Sequence, residues 1–175
     1  MIQAPTLRVN LNSLDRDCLS QIRRWRNCPS IMRWTRQNDL LNEIQHEAWF
    51  NKQALDPSIK MYGIFEDHEL IGVCGLTSIN LINRNAEFSI YLSPEFHGYG
   101  LGKEALYLLC KHGFDSYPLH IIWGESFDGN PAMKTFEQLG FVKDGIRREF
   151  YYRDGEMIDA HLYSVKKEEL KCPIS

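Results

Sequence analysis

The stretch His97-Gly98-Tyr99-Gly100-Leu101-Gly102-Lys103 constrains this chain more than any other. It separates an apolar, strand-like run at 86–92 from a helix-like run at 101–114. Glycines at alternate positions let the backbone turn sharply and bring its N–H groups against a ligand. The helix that follows aims the positive end of its dipole at the same point. A strand, a glycine-rich turn and a helix N-terminus together form a seat for a phosphate or pyrophosphate, so a phosphorylated cofactor is expected. The G-x-G-x-G spacing excludes two alternatives. The dinucleotide fingerprint needs G-x-G-x-x-G and an acid about 20 residues on, and that position falls near Ile122. A Walker loop needs G-x-x-x-x-G-K-[ST], whereas Glu104 follows Lys103.

The 175 residues suit a single domain, 1–175, with a sizeable core. Punctuation along the chain predicts mixed strands and helices. Residues 7–11 alternate as a half-buried strand. Helices are expected at 15–25, where Pro29 breaks the chain soon after, and at about 42–54, with Ile44, Ala48 and Leu55 on one side. Strands at 61–65 and 70–77 are joined by the short polar turn 66–69. The helix after the glycine loop carries Leu101, Ala105, Leu108, Leu109 and His112 at helical spacing, and 119–123 reads as a buried strand. Pro131 fits the first turn of another helix, which Gly140 ends. Asp154-Gly155 between two apolar runs signals a hairpin with a type I′ turn. The class is α/β, a sheet flanked by helices.

Composition narrows the partners. A net charge of −3 argues against a broad nucleic-acid face. Five cysteines at 18, 28, 74, 110 and 172, scattered and odd in number, read as reduced thiols of a cytoplasmic protein. The six histidines lack paired ligand spacing, so no metal is expected. Neither a signal peptide nor a membrane span is evident.

The glycine loop resembles the acetyl-CoA loop of the GNAT N-acetyltransferase superfamily, [QR]-x-x-G-x-[GA], with His97 where that family usually has Gln or Arg. Residues 86–94, Asn130-Pro131-Ala132-Met133 and Phe136-Glu137-Gln138-Leu139-Gly140-Phe141 resemble its next elements. The tail, from Asp144-Gly145-Ile146 through Asp159, is similar to the branch of ribosomal-protein N-terminal, spermidine and amino-sugar acetyltransferases. The front, Trp25-Arg26-Asn27-Cys28-Pro29 with His46-x-x-Trp49-Phe50, resembles the nucleotide-amino-sugar members most. The resemblance implies a single-domain GNAT fold with a mixed, mostly antiparallel sheet, and acetyl-CoA as cofactor. A small-molecule amine would be the acceptor, and homodimerisation is compatible with it.

Acetyl transfer needs a base, because a primary amine with a pKa near ~10 is protonated at neutrality. It also needs fixed N–H donors for the oxyanion. Glu87 is the candidate base, the one acid inside the apolar strand leading to the glycine loop. The resemblance implies that the backbone of Ile90, Tyr91 and Leu92 contacts pantetheine, with the strand splaying near Leu92 and Ser93. Residues His97, Gly98, Tyr99, Gly100, Leu101, Gly102 and Lys103 would then hold the pyrophosphate, and Asn130 would touch the arm. Phe136 stands where many members place a tyrosine acid, and phenylalanine has no proton to give. Tyr152 is taken as the catalytic donor, with Tyr151 and His161 as alternatives on the same hairpin. The acceptor side draws on Trp25, Arg26, Asn27, His46, Trp49 and Tyr151. Aromatic rings with arginine suit a sugar, a nucleobase and a diphosphate better than a polyamine. The favoured acceptor is therefore a nucleotide-linked amino sugar. A protein N-terminus, a polyamine or an aminoglycoside come next, and a non-catalytic acyl-CoA sensor is the rival of another class.

Overall fold

In a computed structural model, which describes residues 6–174, seven strands form one sheet in the order β1-β2-β3-β4-β5-β7-β6. They are β1 (Val9–Asn12), β2 (Lys60–Glu66), β3 (Glu69–Asn80), β4 (Asn85–Leu92), β5 (Ile121–Phe127), β6 (Val142–Arg153) and β7 (Glu156–Lys166). Every neighbouring pair is antiparallel except β4 with β5. The helices are α1 (Leu19–Arg26), α2 (Pro29–Met32), α3 (Glu43–Leu55), α4 (Leu101–Ser116) and α5 (Ala132–Gln138). This is the α/β, mostly antiparallel architecture that the sequence suggests.

The period-two alternation of the strands divides the interior into two cores. On one face Ala86, Phe88 and Leu92 of β4 pack with Leu101, Leu106 and Leu109 of α4 and Phe136 of α5. On the other, Tyr91 of β4 packs with Ile22 of α1 and with Trp49 and Phe50 of α3. Both hairpins close as their turn residues require. Asp67 and His68 sit at φ 46° and 70°, and Asp154 and Gly155 at 50° and 90°, the left-handed pair of a type I′ turn.

Several expectations change. Helix α3 forms at the expected place but with a different face inward. Ile44 and Leu55 are exposed, and so is Ala48, while His46 is buried with its ring stacked on Trp49. Burying Trp49 and Phe50 removes more apolar area from water than burying the aliphatic stripe would, so the aromatics set the rotation. Pro29 opens the short helix α2 instead of only breaking the chain, because its missing N–H costs nothing at N1. On α4, Leu106, Cys110 and Gly113 complete the buried stripe, and His112 is exposed, with its Nε2 3.1 Å from the Tyr62 hydroxyl.

The parallel pairing of β4 with β5 covers Asn85↔Ile121, Ala86↔Ile122 and Glu87↔Trp123, then stops. From residue 88 onward the two strands part. At the vertex a Cβ on Gly124 would meet the Phe88 ring at 2.4 Å, so only glycine lets that ring fill the corner. The splay therefore begins at Phe88, earlier than the Leu92–Ser93 position inferred from Pro94.

Candidate active site

The antiparallel ladder decides which β4 groups are free. The Ser93 N–H donates to the Ile71 carbonyl at 2.8 Å, and Tyr91 lies opposite Val73. Alternate residues point their N–H to opposite edges, so Tyr91 bonds to β3 while Phe88, Ile90 and Leu92 turn their backbone toward the splay. Of the three residues expected to offer backbone to a pantetheine arm, Ile90 and Leu92 turn theirs toward the splay. Tyr91 instead presents its ring to the opposite core, where Arg26 lies 5.5 Å over it.

The glycine loop lies at the open end of this splay. Gly98 and Gly100 have φ of 86° and 81°, and Gly100 caps the N-terminus of α4 with no side chain on its N–H groups. In this 16-residue helix the Lys103 N–H bonds back to the Gly100 carbonyl at 3.1 Å, whereas no side chain caps the N–H groups of Leu101 and Gly102. His97 is exposed, and its ring ties the loop to β4, with Nε2 donating to the Leu92 carbonyl at 3.1 Å. From below, the loop is held by a pair not evident in the sequence. Glu104, buried in the first turn of α4, accepts from the Arg8 N–H at 2.7 Å and from its Nε at 2.8 Å. Arg8 Nη2 also reaches the Tyr99 carbonyl at 2.8 Å. The arginine neutralises this carboxylate beneath the N-terminus of α4. Lys103 is half-buried on α4, and Asn130 Oδ1 accepts from the Ala132 N–H at 3.0 Å, ordering the start of α5.

The opposite face of the splay carries the charges. Glu87 is 12% exposed and bonds to Arg36. Arg36 Nε bonds to Glu125 at 2.7 Å, and Glu125, 3% exposed, also receives Arg147 Nη1 at 3.0 Å and the Tyr151 hydroxyl. Desolvation alone would lower the Arg36 pKa, but its bonds to the two carboxylates outweigh that and raise it, so it stays charged. Desolvation, helped by the bond to Glu125, raises the Tyr151 phenol. A bulge between Arg147 and Tyr151, with Glu149 at φ 50°, brings both side chains of β6 over Glu125. Tyr152, next along the strand, is 64% exposed and does not join this cluster. Strand alternation admits Tyr151 and turns its neighbour away.

Residues 33–42 are strapped over this face. Arg153 Nη2 donates to the Thr35 carbonyl at 2.8 Å, and Arg26 Nε to Gln37 at 3.0 Å. Asn27 clasps Leu41 through both of its amide atoms, at 2.9 and 2.8 Å. Asn27 is thus committed to shaping the strap, and Trp25 and Trp49 pack on the core beneath it. His46 is held neutral: burial lowers its pKa first, and Arg26 and Arg23 add to this. Glu125 was within reach of sequence reasoning. Ile121, Trp123, Glu125 and Phe127 share one face of β5, but the apolar run alone ended the expected strand at 123.

Among the described residues no group of His, Cys, Asp and Glu could hold a metal ion, and no helix is long and apolar enough to cross a membrane. Comparison with known proteins is consistent with this geometry. Residues 8–142 match the acetyltransferase (GNAT) domain. The chain is 28% identical over 155 residues to spermidine N(1)-acetyltransferase of Escherichia coli K12, covering 87% of this chain and 82% of that protein. It is 25% identical over 144 residues to acetyltransferase PseH of Campylobacter jejuni, covering 82% and 88%. The structure of spermidine N-acetyltransferase from Vibrio cholerae with CoA and spermine superposes with a TM-score of 0.88 at 26% identity, covering 93% and 97%.

Proposed function

We propose that this chain, which belongs to the GNAT acetyltransferase family and is an acetyl-CoA-dependent N-acetyltransferase, transfers its acetyl group to the amine of a nucleotide-linked amino sugar. Its own residues fit the cofactor. The backbone of Phe88, Ile90 and Leu92 suits the pantetheine arm, and the Gly98–Gly100 turn with the N-terminus of α4 suits the pyrophosphate. Acetyl-CoA, when bound, supplies the activated thioester. Glu87 stands at the vertex, placed to take the proton of the incoming ammonium once Arg36 releases it. Glu125 keeps Arg36 by Nε while Nη2 lets go.

The observation that carries the acceptor is charge balance. On the acceptor face Arg26, Arg36, Arg147 and Arg153 outnumber Glu87 and Glu125, and both carboxylates are already paired. A polycation would meet excess positive charge there, whereas a diphosphate would meet forked donors. Of the two acids four apart on α3, Glu47 is paired with Arg16, and Glu43 is exposed in the first turn of the helix. The relatives named as spermidine acetyltransferases keep a polyamine as the contrasting arm of the test.

Thiol release from acetyl-CoA should show the highest kcat/KM with nucleotide-linked amino sugars, ahead of free amino sugars, N-terminal peptides and spermidine. Arg147→Gln should raise KM for the nucleotide-linked acceptor about tenfold, the size of one charge-assisted bond, and leave a free amino sugar unaffected. Spermidine as the best acceptor would overturn the reading. Glu87→Gln should lower kcat about a hundredfold, as for loss of a general base, with acetyl-CoA affinity unchanged. Wild-type kcat in that variant would remove Glu87 as the base.

A further inference from the structure

Among the described residues, three buried side-chain polar atoms have no hydrogen-bond partner, and two of them are neighbours: Ser126 Oγ and His161 Nδ1. Ser126 is 3% exposed and His161 9%. They face each other across the β5–β7 ladder, which sets their Cβ atoms about 5 Å apart. Register puts both on the α5 side of the sheet, with Gly124 and Tyr163 next in line toward the vertex. His161 Nε2 lies 3.0 Å from Asp128 Oδ1, which is mostly exposed, so the ring is anchored outward and Nδ1 is its buried end. Phe136, 5.4 Å from Tyr163 and 5.2 Å from Phe88, closes this space with a ring that donates nothing. An unpartnered polar pair of this kind costs stability unless a ligand or a water completes it.

We propose that Ser126, backed by His161, is the hydrogen-bonding seat for the sulfur of the cofactor. The Ser126 hydroxyl, its proton unspent, donates to the sulfur as negative charge gathers there. His161 is a positioning residue: anchored to Asp128 through Nε2, it packs beside Ser126 without claiming the hydroxyl proton. The assignment rests on acetyl-CoA as cofactor and is independent of which amine accepts.

The test follows the ultraviolet absorbance of the thiolate of bound CoA as pH is raised, with desulfo-CoA affinity as the control for an intact pocket. In Ser126→Ala the apparent pKa of the bound thiol should rise by about one unit, the effect of losing one bond to a charged group. Desulfo-CoA should bind both proteins equally. Ser126→Thr should restore the wild-type thiol, and His161→Phe should move it in the same direction as Ser126→Ala but by less. A bound thiol that titrates identically in wild type and Ser126→Ala would overturn the assignment and leave the pair as a site for a buried water. Weaker binding of CoA and desulfo-CoA alike would also overturn it, because the serine would then serve packing.

Discussion

Glu125→Gln is expected to abolish most activity and to lower stability by about 2 kcal/mol. The carboxylate is 3% exposed and is the common partner of Arg36, Arg147 and Tyr151. Removing one member of a buried ion pair costs about 3–5 kcal/mol when the charge left behind is fully buried. Here the two guanidiniums are 50% and 45% exposed and can turn to water, which places the loss below that range. The catalytic loss should be larger than the stability loss. Without Glu125, Arg36 has only Glu87 to bind and occupies the proposed base more fully, while Arg147 loses its orientation. A fall in kcat of about a hundredfold corresponds to ~2.7 kcal/mol. It should appear at a temperature well below the lowered Tm, with acetyl-CoA affinity held, because the glycine loop is on the opposite side of the splay. Arg36→Gln in the same background should return part of the lost kcat by freeing Glu87. If the double variant is no faster than Glu125→Gln alone, competition between Arg36 and the substrate amine for Glu87 is ruled out.

What the sequence revealed about this site follows the range over which each interaction acts. The Gly98–Gly100 turn, the two type I′ hairpins and the helix after the loop are decided by neighbouring residues, and they form where the local chemistry places them. Glu87 was visible because a lone acid in an apolar strand breaks its pattern. Arg36 with Glu87, Arg36 with Glu125 and Arg8 with Glu104 join residues 51, 89 and 96 positions apart, and no local pattern marks such partners. The strand β5 was shortened for the same reason. Glu125 and Ser126 look like the end of an apolar run until tertiary partners make one of them a buried ion pair and the other a buried hydroxyl. The rotation of α3 was misjudged because aliphatic spacing was weighed without the stacking of His46 on Trp49. That Tyr151 and not Tyr152 reaches Glu125 follows from a bulge that only pairing with β7 reveals.

Gly100→Val should weaken acetyl-CoA binding by at least about a hundredfold, equivalent to ~2.7 kcal/mol, with a smaller effect on folding. At φ 81° a β-branched residue is strained by about 1–3 kcal/mol. Its Cβ would approach Arg8 Nη2 at 3.5 Å, which is ordinary contact, so the strain is conformational and not a clash. The chain can relieve it by letting the loop leave the left-handed region. That movement breaks the Arg8 contact to the Tyr99 carbonyl and turns the N-terminal amides of α4 away from their common focus. The fold loses only a loop conformation, because Leu101, Ala105 and Leu109 still anchor the helix in the core. The cofactor loses its pyrophosphate seat, where several N–H donors act together. Gly100→Ala separates the two contributions: it should show the same conformational strain in a thermal melt but a milder loss of affinity by calorimetry, lacking the bulk that blocks a phosphate. A Val variant that melts early yet binds acetyl-CoA as the wild type does would place the pyrophosphate elsewhere. The Gly98–Gly100 turn would then serve only to join β4 to α4.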